Sequence, residues 1–290
     1  MSDVDPMFYR QLLSSQLQAA RKKAGYSQLD VVRETGWSPS KVMRLESGRV
    51  KISMTDLKAL TNYYNLPPED AAVLKQAAES ARLQPWWYDY RSLLSEGFQS
   101  YLGYEASAAV IRNFEALFIP GLLQTEGYAR TILQQSVVEE KEELLDLRMK
   151  RQERMLVESS ETELRFLIDE AALRRVVGNP AVMEAQLDHI ESTSSLNHVT
   201  VGVVPFARGL YPLLRSPYVI FEFSRAEQER VVYLENPDGS VILNNKAIVG
   251  VQRSVEDYIE AFWEVENEYA RPFSEWREAS APATIPPDIS

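Results

Sequence analysis

The sequence contains no cysteine and only two histidines, His189 and His198. The lack of cysteine excludes disulfide bonds, thiolate metal sites and cysteine nucleophiles, and it fits a reducing cytoplasm. A metal site built on two histidines would also need carboxylate ligands, and capped or surface histidines are the more common case. We therefore expect no metal ion and no cofactor.

Long apolar runs are also missing. No stretch approaches about 18 uninterrupted apolar residues, the length that spans a bilayer. The first ten residues, MSDVDPMFYR, are acidic and lack the apolar core of a signal peptide. We expect a cytoplasmic protein without a membrane segment.

The sequence motifs of common catalytic sites are absent as well. There is no G-x-G-x-x-G, no G-x-x-x-x-G-K-[ST] and no G-x-S-x-G. Asp169 and Glu170 follow a predicted strand, where catalytic acids can lie, but acids at a helix N-terminus are commonly stabilising. We expect no catalytic residues and a protein that is not an enzyme, with hydrolysis in the C-terminal part as the weaker alternative.

Positive charge is scarce overall but concentrated near the N-terminus. The net charge is −11, yet residues 10–58 contain ten Lys/Arg and four Asp/Glu, so this segment carries +6 and the remainder −17. A basic module joined to an acidic body indicates that only the module approaches a polyanion. The alternative interpretation is that these are ordinary solvated charges on the protein surface, distributed without a binding role.

Residues 1–82 are predicted to form five short helices in a compact all-α domain. Apolar residues at helical spacing, such as Leu13 and Leu17, indicate a first helix that ends near Gly25. Serine N-caps mark the starts of the next three helices, at Ser27, Ser38 and Ser53. Glycines mark the ends of the second and third helices, at Gly36 and Gly48. A fifth helix follows Pro67-Pro68.

The third helix, residues 39–46, has the pattern of a DNA-contacting helix. Pro39 suits its first position, and the spacing of Val42 and Leu45 turns these two side chains inward. The outer face carries Ser40, Lys41 and Arg44. Arginine can bridge the O6 and N7 acceptors of guanine, and serine can bond a base edge or a phosphate. An exposed helix with incidental charges is the alternative interpretation.

Other polar residues flank this helix at places where a DNA backbone would pass. Gln28, early in the second helix, can donate to a phosphate, and Arg49 and Lys51 follow the third helix. The predicted DNA-binding surface therefore comprises Gln28, Ser38, Pro39, Ser40, Lys41, Arg44, Arg49 and Lys51.

Residues 10–66 resemble the helix-turn-helix of the Cro/phage-repressor (XRE) family. The resemblance rests on the following residues: Ser27-Gln28, Val31-Val32, Gly36, Ser38 and the run KVMRLESG at 41–48. It implies a third helix in the DNA major groove, with positions 39, 40, 41 and 44 near bases or adjacent backbone and Gln28 near phosphate. It also implies a partly buried ion pair between Arg21 and Glu46. Val32 stands where the family commonly has alanine, which implies a slightly wider helix crossing.

Residues 83–277 are predicted to form a mixed α+β domain, so the whole chain is of the α+β class. The aromatic-rich segment 86–123 has the pattern of packed helices, and further helices are predicted over 138–157, 180–192 and 245–270. Strands are predicted from about residue 163, with these sequences: LRFLI, VTVGVV, YVIFEF, VVYLE and VIL. Asn236-Pro237-Asp238-Gly239 predicts a hairpin turn between the last two. The Ala/Pro-rich tail, 278–290, is predicted to be disordered.

Two features of this domain could bind a ligand or a partner. Trp86, Trp87 and Tyr90 form an aromatic cluster, which can line a pocket but more often builds a core. The loop 206–217 places Arg208 and Arg215 among apolar residues, as in a lid or a partner-binding loop. A packed connection is the alternative interpretation of this loop.

The chain as a whole resembles actinobacterial XRE regulators with a C-terminal antitoxin-like domain of unknown function. The segments that carry the resemblance are 86–90, 119–130, 168–190 and 199–206. It implies a regulator that binds double-stranded DNA at the nucleoid, often encoded beside a small partner protein. Since one helix-turn-helix contacts few base pairs, we expect a homodimer with recognition helices about 34 Å apart. The alternative is an antitoxin-like protein that neutralises a small partner and regulates its own operon.

Overall fold

The structure, a computed structural model, describes residues 5–48, 50–158, 161–224, 230–236, 239–243 and 253–280. The chain forms two compact units, residues 1–107 and 108–290. The first unit includes residues 83–107, which the sequence assigned to the second domain, and the functional division after residue 82 remains a prediction. Among the described residues, no helix has the length and apolar character that a membrane crossing requires.

The first unit is helical, as predicted. Its helices are α1 (Pro6–Lys23), α2 (Gln28–Thr35), α3 (Pro39–Glu46), α4 (Met54–Tyr63), α5 (Pro68–Ser80) and α6 (Glu96–Glu105), with a 3₁₀ segment at Tyr88–Leu93. The three serine caps are present, since Ser27, Ser38 and Ser53 each accept a bond from the backbone N–H three residues later. The predicted helix starts are therefore confirmed.

The five helices α1 through α5 share one apolar core. Its fully buried members include Leu13, Leu17, Val31, Val42, Leu45, Leu57, Leu60 and Leu74. Burial of one such side chain stabilises the folded state by about 1.5–3 kcal/mol. The core fixes the inner faces of α2 and α3, so the orientation of their outer faces is fixed as well.

The segment that follows α5 packs back against the start of α1. Asp5 caps α1 by accepting from the Met7 N–H at 2.7 Å, and its other oxygen accepts from the Trp87 indole at 3.1 Å. A Cβ on Gly103 of α6 would lie only 2.9 Å from the Met7 Cβ, so α6 needs glycine at this contact. Trp87, predicted as a ligand or partner residue, is buried and contributes to this packing.

The second unit is built on a seven-stranded mixed sheet. The strands are β1 (Val110–Glu115), β2 (Glu163–Asp169), β3 (Val199–Val204), β4 (Tyr218–Glu222), β5 (Val231–Asn236), β6 (Gly239–Leu243) and β7 (Arg271–Pro272), in the spatial order β6-β5-β4-β1-β2-β3-β7. The helices are α7 (Glu126–Gln134), α8 (Lys141–Gln152), α9 (Glu170–Arg174), α10 (Pro180–Ser194), α11 (Val255–Glu264) and α12 (Phe273–Ser280). The predicted α+β class is confirmed.

Strand β1 corrects the sequence prediction, which made 86–123 helical throughout. Its sequence VIRNFE is buried at the four inner positions and pairs with β2 on one side and β4 on the other. A strand buried on both faces loses the alternation of apolar and polar residues by which strands are identified. The helix predicted over 138–157 begins at Lys141 as α8 and continues without a break as a π-helical segment, Glu153–Glu158.

Several predictions fall partly outside the described residues. In the predicted turn Asn236–Gly239 the end residues are paired, joining β5 to β6, whereas 237 and 238 lie outside. Residues 245–252 of the predicted helix 245–270 lie outside too, and the rest forms α11 and a π-helical segment, Val265–Tyr269. Residues 278–280 of the tail that was predicted to be disordered belong instead to α12, and residues 281–290 are not described.

The parallel strands β1, β2 and β3 end at one edge of the sheet, where the acids singled out in the sequence lie. Asp169 caps α9 and accepts from the Tyr211 hydroxyl, and Glu170 accepts from the Phe206 N–H and from Arg174, both at 2.7 Å. These bonds give both carboxylates a structural role. Among the described residues, no group of His, Asp and Glu could hold a metal ion.

Candidate DNA-binding surface

A tight turn sets the angle between α2 and α3. The turn begins at Gly36, whose φ of +69° is readily adopted only by glycine, and a Cβ there would meet nothing within 4 Å. Thr35 supports it by donating to the Val31 carbonyl at 2.6 Å and accepting from the Trp37 N–H at 3.3 Å. Ser38 then accepts from the Lys41 N–H at 3.2 Å and starts α3.

A buried ion pair ties α3 to α1. Arg21 binds Glu46 with two bonds, Nε to Oε1 at 2.6 Å and Nη2 to Oε2 at 2.9 Å. Its third bond, from Nη1, reaches the Tyr26 carbonyl at 2.7 Å. Because a bidentate pair fixes direction as well as distance, it holds the C-terminal end of α3 in one orientation.

Glu46 also collects bonds from neighbouring polar side chains. Its carbonyl accepts from Ser14 at 2.5 Å and from Gln18 at 3.1 Å, and its Oε2 accepts from the Gln28 amide at 2.8 Å. Gln28, predicted to contact phosphate, is therefore bonded to Glu46 through one N–H of its amide. A side-chain amide has two N–H donors, so the phosphate contact remains a prediction with one donor left for it.

The outer face of α3 presents a hydroxyl, a thioether and a guanidinium. Ser40, Met43 and Arg44 are exposed, and Arg44 Nε donates to the Ser40 carbonyl at 3.3 Å. Val42 and Leu45 are buried, as the spacing predicted. Sequence reasoning missed Met43, which exposes 58% of its surface, although its position one turn after Pro39 would have indicated the outer face.

Lys41 is held more firmly than the sequence indicated. Its Nζ lies 2.9 Å from an Asp56 carboxylate oxygen and 3.9 Å from the centre of the Trp37 ring. Asp56 belongs to the first turn of α4, so the ammonium group of Lys41 joins α3 to α4 and to the turn. Direct contact of Lys41 with a base would require these two interactions to be given up.

Two matches to known families cover most of the chain. Residues 12–74 match a family described as a helix-turn-helix domain. Residues 98–262, more than half of the chain, match a family described as a domain of unknown function, DUF5753. The chain belongs to the DUF5753 family. No curated protein and no solved structure matches it.

The helix-turn-helix match of this DUF5753 protein contains every part of the surface described above. It identifies the protein as a DNA-binding regulator in general terms. Lys51 lies at the end of the loop after α3 and is exposed, with its Nζ donating to the Arg82 carbonyl at 3.1 Å. Partial burial and the nearby Arg10 and Arg82 lower the Lys51 pKa. Arg49, also predicted to contact DNA, lies outside the described residues.

The five residues predicted to bind a ligand or partner lie in different units. Trp86, Trp87 and Tyr90 belong to the first unit, and the exposed Arg208 and Arg215 belong to the second. They do not form one cluster within either unit. Their predicted role stays a prediction.

Proposed function

We propose that this protein is a sequence-specific transcriptional regulator that inserts α3 into the major groove of operator DNA. The observation that carries the proposal is the exposed triad Ser40, Met43 and Arg44 on a helix whose inner side is bonded to α1. A rigid helix that exposes both polar and apolar side chains can match the donors, acceptors and methyl groups that base pairs present in the major groove. The protein binds as a homodimer on two half-sites, and the second unit dimerises or receives a signal or protein partner without catalysis.

Selection from a random double-stranded DNA library with the full-length protein tests the proposal. We expect enrichment of one motif, repeated or palindromic with a spacing near one helical turn, and a footprint over it. Recovered DNA without a shared motif, bound no better than competitor DNA, would contradict sequence-specific binding.

Arg44→Ala is expected to weaken binding to the selected site by about 1–3 kcal/mol and to relax the preference at one base pair, because a bidentate contact to guanine is lost. Competition binding against every single-base variant of the site measures both effects. Arg33→Ala, which removes an exposed arginine from α2, is the matched control and should keep the preference. Unchanged affinity and preference in Arg44→Ala would remove Arg44 from the recognition surface.

Met43→Ala is expected to abolish discrimination between thymine and uracil at one position of the site. The exposed Met43 side chain can pack on a thymine methyl, a contact worth about 0.8 kcal/mol for one buried methyl-sized group. The measurement compares parent and variant on sites in which each thymine is replaced in turn by uracil. Leu29→Ala, at an exposed leucine of α2, should retain the discrimination of the parent. The same uracil sensitivity in Met43→Ala and parent would show that Met43 contacts no methyl.

Lys51→Ala is expected to weaken binding to all DNA sequences alike and to lower the salt slope of log K by about 0.9, because one phosphate contact disappears. Titration at several salt concentrations measures the slope on specific and random DNA. Lys75→Ala, at an exposed lysine of α5, is the control. Equal slopes for Lys51→Ala and parent would exclude a phosphate contact at Lys51.

A further inference from the structure

Three segments of the second unit stand out by their charge. They follow the parallel strands β1, β2 and β3 and comprise residues 116–125, 170–179 and 205–217. Together they contain four arginines and one acid, Glu170, although the unit as a whole has 18 Lys/Arg and 30 Asp/Glu. The positive charge of these segments contrasts with the acidic character of the unit that contains them.

The sheet brings the three segments to one edge. β1 pairs in parallel with β2, and β2 with β3, so that their carboxyl ends are neighbours. Two strand spacings separate the outer ends by about 10 Å. The third segment is fastened to the second strand by the Phe206 N–H bond to Glu170 and by the Tyr211 bond to Asp169. This edge is also where open sheets with parallel strands commonly bind their ligands.

The same segments expose large apolar side chains. They are Leu117, Phe118, Val176, Phe206 and Leu210, each exposed by 45% or more, with Leu210 at 81%. We call these five residues, together with Arg175, Arg208 and Arg215, the carboxyl-edge surface. Exposed large apolar side chains together with arginine are typical of protein interfaces.

The charge of the carboxyl-edge surface is not neutralised within the described residues. Arg175, Arg208 and Arg215 are exposed and form no ion pair there, whereas Arg174 is bonded to Glu170. The carboxylates at the end of β2, Asp169 and Glu170, are buried and their oxygens are taken by the bonds described above. The exposed charged side chains within the three segments are therefore arginines.

We propose that the carboxyl-edge surface binds an acidic peptide segment with apolar side chains, presented by a partner protein. Charge complementarity selects the acidic residues, and the exposed leucine and phenylalanine side chains are covered by the apolar ones. A small ligand is usually bound in a pocket that encloses most of its surface. The side chains of the carboxyl-edge surface are too exposed to form such a pocket. The inference deepens the proposed partner-receiving role of the second unit and does not depend on how α3 contacts DNA.

Selection of random displayed peptides on the immobilised full-length protein tests this inference. We expect enriched peptides that combine Asp or Glu with Leu, Phe or Trp. A synthetic copy of the best peptide should bind at least about ten-fold more weakly to Arg208→Glu/Arg215→Glu and to Phe206→Ser/Leu210→Ser. Two variants outside the three segments, Arg154→Glu and Val137→Ser, are the matched controls for charge and for apolar exposure and should bind like the parent.

Three results would overturn the inference. One is enrichment of peptides without acidic residues, and another is equal binding of the peptide to the edge variants and the parent. The third is concentration-dependent dimerisation that the edge variants abolish, which would assign the surface to a second copy of the chain. DNA binding measured on the same variants should be unchanged, so a failure here is distinguishable from a failure of the proposed DNA recognition.

Discussion

Replacing Arg21 by alanine is expected to lower the free energy of unfolding of the first unit by about 3–5 kcal/mol. Arg21 and Glu46 expose only 9% and 5% of their side chains, so the change leaves a buried carboxylate with the Gln28 amide as its remaining side-chain donor. An uncompensated buried charge costs far more than the loss of one surface pair. Because Glu46 ends α3, we expect α3 to open first.

Hydrogen exchange followed by mass spectrometry measures this effect at the level of single helices. Peptides from α1 and α3 should exchange faster in Arg21→Ala than in the parent, whereas peptides from the sheet of the second unit should not change. Arg33→Ala breaks an exposed pair with Asp30 in the same unit and should change the opening free energy by less than about 1 kcal/mol. Equal effects of Arg21→Ala and Arg33→Ala would contradict a structural role for the buried pair.

The double variant Arg21→Met/Glu46→Leu separates the buried charge from the lost contacts. With both charges gone, no carboxylate is left without a partner, so this variant should be more stable than Arg21→Ala. Its α3 would keep an apolar contact with α1 but lose the bidentate geometry. We therefore expect DNA affinity to recover less than stability does.

Local signals explain why helices α1 to α5 could be predicted closely from the sequence. Ser38 caps α3 and Gly36 adopts a positive φ within a few residues of each other, and each acts on its own neighbours. Likewise, Val42 and Leu45 are inward because the period of a helix places them on one side. Such features can be predicted from neighbouring residues alone, without information about distant parts of the chain.

The side-chain contacts on the candidate DNA-binding surface could be identified only from the folded structure. Lys41 meets Asp56 on a different helix, and Gln28 meets Glu46 across the turn. No periodicity encodes either distance, since both depend on how α2, α3 and α4 cross. β1 was missed for a related reason, because only its two neighbouring strands explain why it is buried on both faces.

Glu115→Gln is expected to stabilise the second unit by about 2–4 kcal/mol at pH 9 and to have little effect at pH 4. Burial, with a smaller contribution from the neighbouring Glu235, raises the pKa of Glu115 from 4.5 to about 8. Between these two values the folded chain holds a proton that the unfolded chain has released. The contribution of Glu115 to stability is therefore complete below pH 4.5 and is lost as the pH rises through 8.

Thermal unfolding of parent and variant from pH 4 to pH 9 measures this prediction. The difference in melting temperature should grow steadily with pH, because glutamine stays neutral while Glu115 must ionise at the end of β1. Glu143→Gln, at an exposed carboxylate of α8, should show no such trend. A pH-independent difference for Glu115→Gln would mean that Glu115 is already ionised at neutral pH in the folded protein. In that case its carboxylate, at the last position of a central strand, would need a cationic partner to offset its burial.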